Sequence, residues 1–186
     1  GEGGVNLLDS AFVKDVCKIC KEKDVLVIFD EVQCGLGRTG HLFGFQEFCV
    51  EADIITLAKG LGGGLPIGAI LCNEKLADTF APGDHGSTFG GNPVVCAGAM
   101  AVIDQICNDN LLSSVQAKGK LIRETLLKAD LPLVKNIRGL GLMIGIAVSC
   151  PPAEIQEKAL ENGLLVLTAG KNVVRLLPPL TISESE

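Results

Sequence analysis

The chain has 186 residues, a net charge of −6, a pI of about 5.0 and 47% hydrophobic residues, with no Trp or Tyr. This length suffices for one ordinary domain, or one and a fraction, with a substantial hydrophobic core. The acidic balance and the lack of a basic stripe argue against a nucleic-acid partner. The apolar runs are too short to span a bilayer. We therefore expect a soluble globular chain without nucleic-acid or membrane partners.

The eight cysteines stand at positions 17, 20, 34, 49, 72, 96, 107 and 150. Most of them lie singly in apolar segments, where cysteine acts as a small hydrophobic residue. Cys17 and Cys20 form a C-x-x-C spacing, but within a helical pattern and without a second pair or a histidine at zinc spacing. We predict no metal site and a reducing, cytoplasmic environment.

The first hundred residues alternate between helix and strand patterns, as an α/β fold requires. Asp9 is suited to cap a helix that ends near Glu22. Continuous apolar runs predict short buried strands at residues 25–29, 53–57 and 67–71. An irregular glycine-rich stretch follows the first strand, and a loop at 59–66 separates the other two. A polar loop at 82–92 precedes a helix that begins at Pro93 and ends near Ile106.

The pattern of predicted helices and strands changes around residues 108–110. An amphipathic helix is predicted at 111–129, followed by strands at 134–138 and 142–148, a helix at 152–161, and strands near 164–168 and 173–177. We predict two domains on this basis. Residues 1–107 form part of a larger α/β domain, and residues 108–186 form a smaller α+β domain.

An acidic pair, Asp30 and Glu31, follows the first predicted strand. A carboxylate at this position lies where α/β sheets bind ligands, although an aspartate that only caps the next turn is an equally good explanation. A nucleotide-hydrolysing site also places acids here, but it needs a G-x-x-x-x-G-K-[ST] loop that the chain lacks. The G-x-G-x-x-G string at 35–40 does not open a helix directly after the strand, so a dinucleotide site is rejected.

A lysine and a polar loop are the other two candidates. Lys59 lies just beyond the second predicted strand, at the start of a loop rich in glycine. Burial there would favour the neutral amine, which can attack a carbonyl, whereas a lysine that extends to solvent is the simpler alternative. The loop His85-Gly-Ser-Thr-Phe-Gly-Gly-Asn-Pro93 offers hydroxyls, amides and a helix start, which suit a phosphate or merely a capped turn.

The spacing of these features is regular, with 29 residues from Asp30 to Lys59 and 29 more to Thr88. The arrangement resembles the class III, or ω-, aminotransferases, a subgroup of the fold-type I pyridoxal-phosphate enzymes. Within that family the sequence is most similar to the acetylornithine aminotransferases, followed by the ornithine aminotransferases. The matching strings cover essentially the whole chain: Gly1-Glu-Gly-Gly4, Phe29-Asp-Glu-Val-Gln33, Gly37-Arg-Thr-Gly40, Asp53-Ile-Ile-Thr-Leu-Ala-Lys59-Gly60, Pro66-Ile-Gly68, the loop 85–93, Arg138-Gly-Leu-Gly-Leu-Met143 and Arg175-Leu-Leu-Pro-Pro179.

The resemblance implies the residues that bind the cofactor, pyridoxal 5'-phosphate. Asp30 would pair with the protonated pyridine nitrogen, Val32 would pack on the ring face, and Gln33 would hydrogen-bond the phenolic oxygen. Lys59 would form the Schiff base and then move the proton between substrate and cofactor. Thr88 would bind the cofactor phosphate, by analogy with the family in the site of the neighbouring subunit.

The resemblance also implies the residues that bind the substrates. Ser87 would lie nearer the substrate than Thr88, and Arg175 would bind the α-carboxylate of 2-oxoglutarate. Glu2 resembles the family's switch acid, which pairs with that arginine in one half-reaction and releases it in the other. A surface position on an edge strand is the alternative for Arg175.

The expected function is transfer of the distal amino group of N-acetylornithine to 2-oxoglutarate, as in arginine biosynthesis, by a cytoplasmic homodimer. The alternatives are an ornithine or 4-aminobutyrate aminotransferase, a mutase with the same machinery, or a fragment that binds no cofactor. Family members are much longer than this chain, which we expect to be truncated at both ends. Its apolar strand edges should then be exposed.

Overall fold

The computed structural model describes residues 1–108 and 110–186, which fall into two compact units. The mixed-sheet unit comprises Leu8–Leu36 and His41–Asp109. The antiparallel-sheet unit comprises Gly1–Leu7, Gly37–Gly40 and Asn110–Glu186. Each unit combines helices with a sheet, and the predicted α/β fold class is confirmed.

The predicted domain boundary lies close to residue 109, which is outside the described residues. Two short N-terminal segments, 1–7 and 37–40, group with the C-terminal part of the chain. These units are defined by spatial contacts, which differ from domains that fold independently. The division into domains 1–107 and 108–186 therefore stays a prediction.

Helix α1 of the mixed-sheet unit, Ser10–Glu22, begins where the sequence predicts. The Asp9 carboxylate accepts a hydrogen bond from the Phe12 backbone N–H at 3.0 Å, which satisfies one of the amides left unpaired at a helix start. Val13 is buried, whereas Phe12 and Ile19 are exposed. The helix therefore keeps a large apolar surface in contact with solvent in this chain.

The mixed sheet has the order β1 (Ile28–Asp30), β2 (Ile54–Leu57), β3 (Ala69–Cys72). β1 and β2 are parallel, with Asp30 opposite Thr56, and β3 is antiparallel to β2. β1 begins three residues later than predicted because its ladder starts only where β2 begins. The preceding Val27 N–H donates to the Asp53 carboxylate instead. The strands were expected to be buried, but Ile28 and Ile70 are exposed.

Short helices and loops complete this unit. Three 3-10 helices, Gly44–Phe48, Lys59–Gly62 and Glu74–Leu76, replace parts of the predicted irregular segments. Residues 59–66 were therefore wrongly expected to be loop throughout. Helix α2, Pro93–Asn108, extends two residues past the predicted end. The Asn92 side chain accepts hydrogen bonds from the amides of Val94 and Val95, as a cap should.

The antiparallel-sheet unit contains α3 (Leu111–Lys128), β4 (Val134–Leu140), β5 (Met143–Val148), α4 (Pro152–Glu161), β6 (Leu167–Ala169) and β7 (Val173–Leu176). The strand order is β4-β5-β7-β6, with every pair antiparallel. β5 is buried along its whole length. Ile144, Ile146, Val148, Val166 and Val174 form one core cluster of the unit, and a second consists of Ala147, Ala169 and Val173. β6 lies later than the predicted 164–168 because its ladder requires β7 as a partner.

Candidate active site

Asp30 is the last residue of β1, at the edge where the parallel strands β1 and β2 both end. Its Oδ1 atom accepts hydrogen bonds from the Val32 N–H at 3.0 Å and from the Thr56 hydroxyl at 3.3 Å. The predicted turn cap is therefore present. Among the described residues, nothing donates a hydrogen bond to the other oxygen, Oδ2. The exposed carboxylate can thus hold its turn and still accept a hydrogen bond from a ligand.

Lys59 lies at the same edge of the sheet, three residues beyond Thr56 and two beyond the end of β2. It begins a 3-10 helix with a backbone φ of 48°, which is uncommon for a residue with a side chain. The sequence suggested burial, but Lys59 is exposed in this chain. Its ammonium makes no ion pair or hydrogen bond with any described residue. The amine is accessible for reaction.

The glycine-rich segment after Lys59 packs closely on helix α2. Gly63 has a φ of 58°, and a Cβ atom there would lie 2.9 Å from the Val102 Cγ2 atom. A side chain at this position would both strain the backbone and push the loop away from the helix. Close packing on α2 therefore fixes the path of the chain beyond Lys59.

Glu31 is buried on the side of β1 opposite to Asp30, with 2% of its surface exposed. Its two carboxylate oxygens accept the backbone N–H groups of Gly44 and Phe45, each at 2.8 Å. The Phe45 ring stacks on Phe29 of β1 at 5.1 Å between centroids. Glu31 thereby ties the turn that carries Asp30, Val32 and Gln33 to the 3-10 helix at 44–48.

The Cys34 thiol lies against this carboxylate. Burial, and then the negative charge and hydrogen bond of Glu31, raise the pKa of Cys34 to about 12. The thiol therefore stays protonated at physiological pH and donates a hydrogen bond to the Asp30 carbonyl. Cys34 is a packing residue in this structure, as the sequence suggests.

Replacing Glu31 with glutamine is expected to lower the free energy of unfolding by about 1–3 kcal/mol. The amide can accept one of the two N–H groups but presents its own N–H to the other. Urea unfolding of the chain measures the effect. The matched control is Glu51→Gln, because Glu51 is exposed and its change should stay within about 0.5 kcal/mol. Equal stability of the two variants would contradict the anchoring role of Glu31.

Ser87 and Thr88 lie in the exposed loop before α2. The Ser87 hydroxyl accepts a hydrogen bond from the Gly90 N–H at 3.1 Å, so the loop contains the polar turn that the sequence suggested as one alternative. Thr88 hydrogen-bonds to none of the described residues. The structure does not bring either hydroxyl into contact with Asp30 or Lys59.

Arg175 is buried in β7 of the antiparallel-sheet unit, with 5% of its surface exposed. Its Nη1 donates to the Glu2 Oε1 at 2.6 Å, in an ion pair between residues 173 positions apart. β7 lies between β5 and β6, so the alternative of a surface residue on an edge strand is wrong. A buried guanidinium that faces an exposed carboxylate is suited to exchange that carboxylate for one of a ligand.

The described residues contain no group of three or more His, Cys, Asp or Glu side chains that could hold a metal ion. Cys17 and Cys20 are both free thiols. A cavity of about 870 Å³ lies beside α1 and includes Cys17, Lys18, Asp53 and Lys75 in its lining. No residue predicted to bind cofactor or substrate lines it. No helix among residues 1–108 and 110–186 is both long and apolar enough to cross a membrane.

The family model of the class-III aminotransferases matches residues 1–186. The chain belongs to this family. It is 52% identical to the acetylornithine aminotransferase of Caldanaerobacter subterraneus over 189 aligned residues, and 47% identical to that of Bacillus subtilis. These alignments cover 100% of this chain but 48% and 49% of the two relatives. The chain thus spans about half the length of the curated relatives it matches.

Solved structures of this class-III family agree with the fold. The acetylornithine aminotransferase of Elizabethkingia anophelis superposes with a TM-score of 0.93 at 39% identity, covering 100% of this chain and 50% of that one. The ornithine aminotransferase of Toxoplasma gondii gives a TM-score of 0.94 at 37% identity, covering 100% and 46%. The predicted fold-type I architecture is confirmed.

Class-III aminotransferases use pyridoxal phosphate, and the residues present fit this group. Two suitable groups lie at one edge of the sheet. They are the Asp30 carboxylate oxygen to which no described residue donates a hydrogen bond, and the accessible amine of Lys59. Val32 lies two residues after Asp30 in the anchored turn and is half-buried. Asp30, Val32, Gln33 and Lys59 would hold the ring, and Thr88 would hold the phosphate. These assignments stay predictions.

The sequence did not predict the structural roles of two arginines and one acid. Glu31, Arg38 and Arg138 each hydrogen-bond to backbone groups of segments distant in sequence, and side-chain identity alone does not reveal such bonds. Arg38 donates to the carbonyl groups of Leu142 and Pro178, and burial lowers its pKa. For Glu31 a signal existed, because consecutive strand residues point to opposite faces and an acid opposite Asp30 needs its own partners.

Proposed function

We propose that the chain is the lysine-bearing half of a pyridoxal-phosphate-dependent aminotransferase that transfers the distal amino group of N-acetylornithine to 2-oxoglutarate. The observation that carries the proposal is the placement of Asp30 and Lys59 at the ends of neighbouring parallel strands. The pairing of the buried Arg175 with the exposed Glu2 carboxylate supports the choice of a dicarboxylic acceptor. The full-length protein is proposed to act as a cytoplasmic homodimer in arginine biosynthesis.

When bound, pyridoxal phosphate supplies an electron sink for the carbon that loses its proton. The Asp30 carboxylate would favour the protonated form of the ring nitrogen, because its negative charge stabilises that form. Val32 would pack on the ring face, and Gln33 would hydrogen-bond the phenolic oxygen. Lys59 would hold the cofactor through its amine and would serve as the base that moves the proton of the substrate.

Arg175 and Glu2 distinguish the two substrates. Arg175 binds the α-carboxylate of 2-oxoglutarate or glutamate through its planar fork of N–H groups. Glu2 pairs with Arg175 while the ω-amino donor reacts and neutralises a guanidinium that would otherwise attract the wrong carboxylate. Ser87 would lie near the substrate, and Thr88 would bind the phosphate of the cofactor in the neighbouring subunit.

The choice of donor rests on similarity. The curated relatives at 45–52% identity are named acetylornithine aminotransferases, whereas solved structures of acetylornithine and of ornithine aminotransferases are alike 36–39% identical. A full-length protein that contains these 186 residues should therefore form glutamate from 2-oxoglutarate fastest with N-acetylornithine. Assays with ornithine and 4-aminobutyrate in parallel check this. A higher kcat/KM for ornithine than for N-acetylornithine would make ornithine the donor and leave the transaminase assignment intact.

A further inference from the structure

The segment that carries Glu2 is held in an unusual conformation. Val5 is buried, with 3% of its surface exposed, and has a backbone φ of 53°. A β-branched residue rarely adopts this left-handed conformation, which persists only where surrounding contacts enforce it. The segment 1–7 forms no helix or strand; the backbone N–H groups of Gly4 and Val5 both donate to the Gly1 carbonyl, and contacts with the antiparallel sheet add to this restraint.

Arg138 of β4 provides the most direct of these contacts. Its Nε donates to the Gly4 carbonyl at 3.0 Å and to the Val5 carbonyl at 2.9 Å, and its Nη2 donates to the Gly4 carbonyl at 2.7 Å. These are charge-assisted hydrogen bonds, which are stronger than those between neutral groups. One side chain therefore fixes two consecutive carbonyls, two and three residues beyond Glu2.

Neighbouring glycines leave room for this arrangement. A Cβ atom on Gly145, which pairs with Arg138 across β4 and β5, would lie 2.8 Å from the Val5 Cβ atom. The backbone carbonyl of Glu2 itself accepts a hydrogen bond from the Gly170 N–H at 3.0 Å. Glu2 is thus held between the Gly170 contact and the two carbonyls bound by Arg138, with its carboxylate against Arg175.

We propose that Arg138 is a positioning residue for the Glu2–Arg175 pair and thereby for the choice between the two substrates. Arg138 contacts neither Arg175 nor the Glu2 side chain in these hydrogen bonds, and it acts through the backbone of residues 4 and 5. Without it, segment 1–7 loses its most direct restraint and Glu2 spends less time against Arg175. Arg175 is then free to bind the carboxylate of a substrate during the half-reaction in which the ω-amino donor should react. This inference rests on the proposed function.

The test uses a full-length protein that contains these residues, with pyridoxal phosphate bound. The measurement is the ratio of the half-reaction rate with glutamate to the rate with N-acetylornithine, for Arg138→Met, Glu2→Gln and the double variant. Arg138→Met should shift the ratio toward glutamate about tenfold, in the same direction as Glu2→Gln. The double variant should shift it no further than Glu2→Gln alone, because Arg138 acts through Glu2. Arg138→Lys, which keeps the charge and one donor group, should fall between.

Two results would overturn the proposal. In the first, the ratio stays unchanged in Arg138→Met while Glu2→Gln shifts it. In the second, the shifts caused by Arg138→Met and Glu2→Gln multiply in the double variant. If Arg138→Met does not fold, Arg138→Lys decides by the same ratio. A wild-type protein with no transaminase activity would instead refute the proposed function.

A second readout does not depend on activity. Hydrogen exchange of the Gly170 amide reports on the Glu2 carbonyl that it bonds. In the 186-residue chain, Arg138→Met should increase this exchange rate severalfold, whereas the β5 amides should keep their protection. The matched control is Arg123→Met, since Arg123 donates to the Gly141 carbonyl and does not contact segment 1–7 in its hydrogen bond. Unchanged exchange at Gly170 would show that Arg138 does not position Glu2.

Discussion

Replacing Lys59 with alanine should abolish the visible absorption band of the Schiff base between lysine and pyridoxal phosphate and reduce transamination by roughly 10²–10⁴-fold or more. The variant loses both the amine that holds the cofactor and the base that moves the proton. Lys59 is exposed and makes no ion pair among the described residues, so its removal should cost little stability. Absorbance of the full-length protein with added cofactor and a coupled glutamate assay measure the two losses.

Lys75→Ala is the matched control for this experiment. Lys75 lies in the same unit, is exposed, and pairs with Asp24 at 2.6 Å, an interaction that raises the pKa of Lys75. Loss of an exposed surface ion pair has little effect on stability and none on the proposed site. A Lys59→Ala protein that keeps the absorption band and activity, like this control, would refute the assignment of Lys59.

Replacing Arg175 with methionine should raise the KM for 2-oxoglutarate by about thirtyfold or more. Truncating one partner of a buried, hydrogen-bonded charge pair costs roughly 2–5 kcal/mol, and 1.4 kcal/mol corresponds to a factor of ten. Arg175→Lys should have an intermediate effect, because an ammonium keeps the charge without the planar fork. Steady-state kinetics with varied 2-oxoglutarate measure both variants.

Arg123→Met serves as a control for Arg175. Arg123 lies in the same unit and donates to the Gly141 carbonyl, but it lies on helix α3, outside the proposed site. Its replacement should leave the KM for 2-oxoglutarate unchanged. A normal KM in Arg175→Met would remove Arg175 from the acceptor site, even if Lys59 retained its role.

The helices and central strands could be predicted from the sequence because their signals are local. The Asp9 cap, the Pro93 start and the apolar run of β5 each depend on neighbouring residues only. The start of β1 could not be predicted, since a strand is defined by its partner and β2 begins opposite Ile28. Burial of β1 and β3 was overestimated for a related reason. Apolar composition shows that a strand is suited to burial, but it does not show which other elements cover the strand.

The candidate site divides in the same way. Asp30 and Lys59 could be placed together because parallel strands carry their carboxyl ends to one edge. The pairing of Glu2 with Arg175 followed from the family resemblance, since no local pattern links residues so far apart in sequence. The roles of Glu31 and Arg138 depend on backbone amides and carbonyls of remote segments. Such partners are identical at every residue, so the sequence alone does not identify them, even where the strand alternation at Glu31 signals that partners are needed.

The identity of the lysine that holds the cofactor is the central claim, and peptide mapping after borohydride reduction tests it most directly. The full-length protein and the 186-residue chain are each mixed with pyridoxal phosphate, reduced, digested and analysed by mass spectrometry. A pyridoxyl group on the peptide that contains Lys59 is the predicted result for the full-length protein. Absence of the label in the shorter chain alone would show that this half cannot bind the cofactor by itself. A label on another lysine, such as Lys75, with Lys59 unmodified in the full-length protein, would contradict the account.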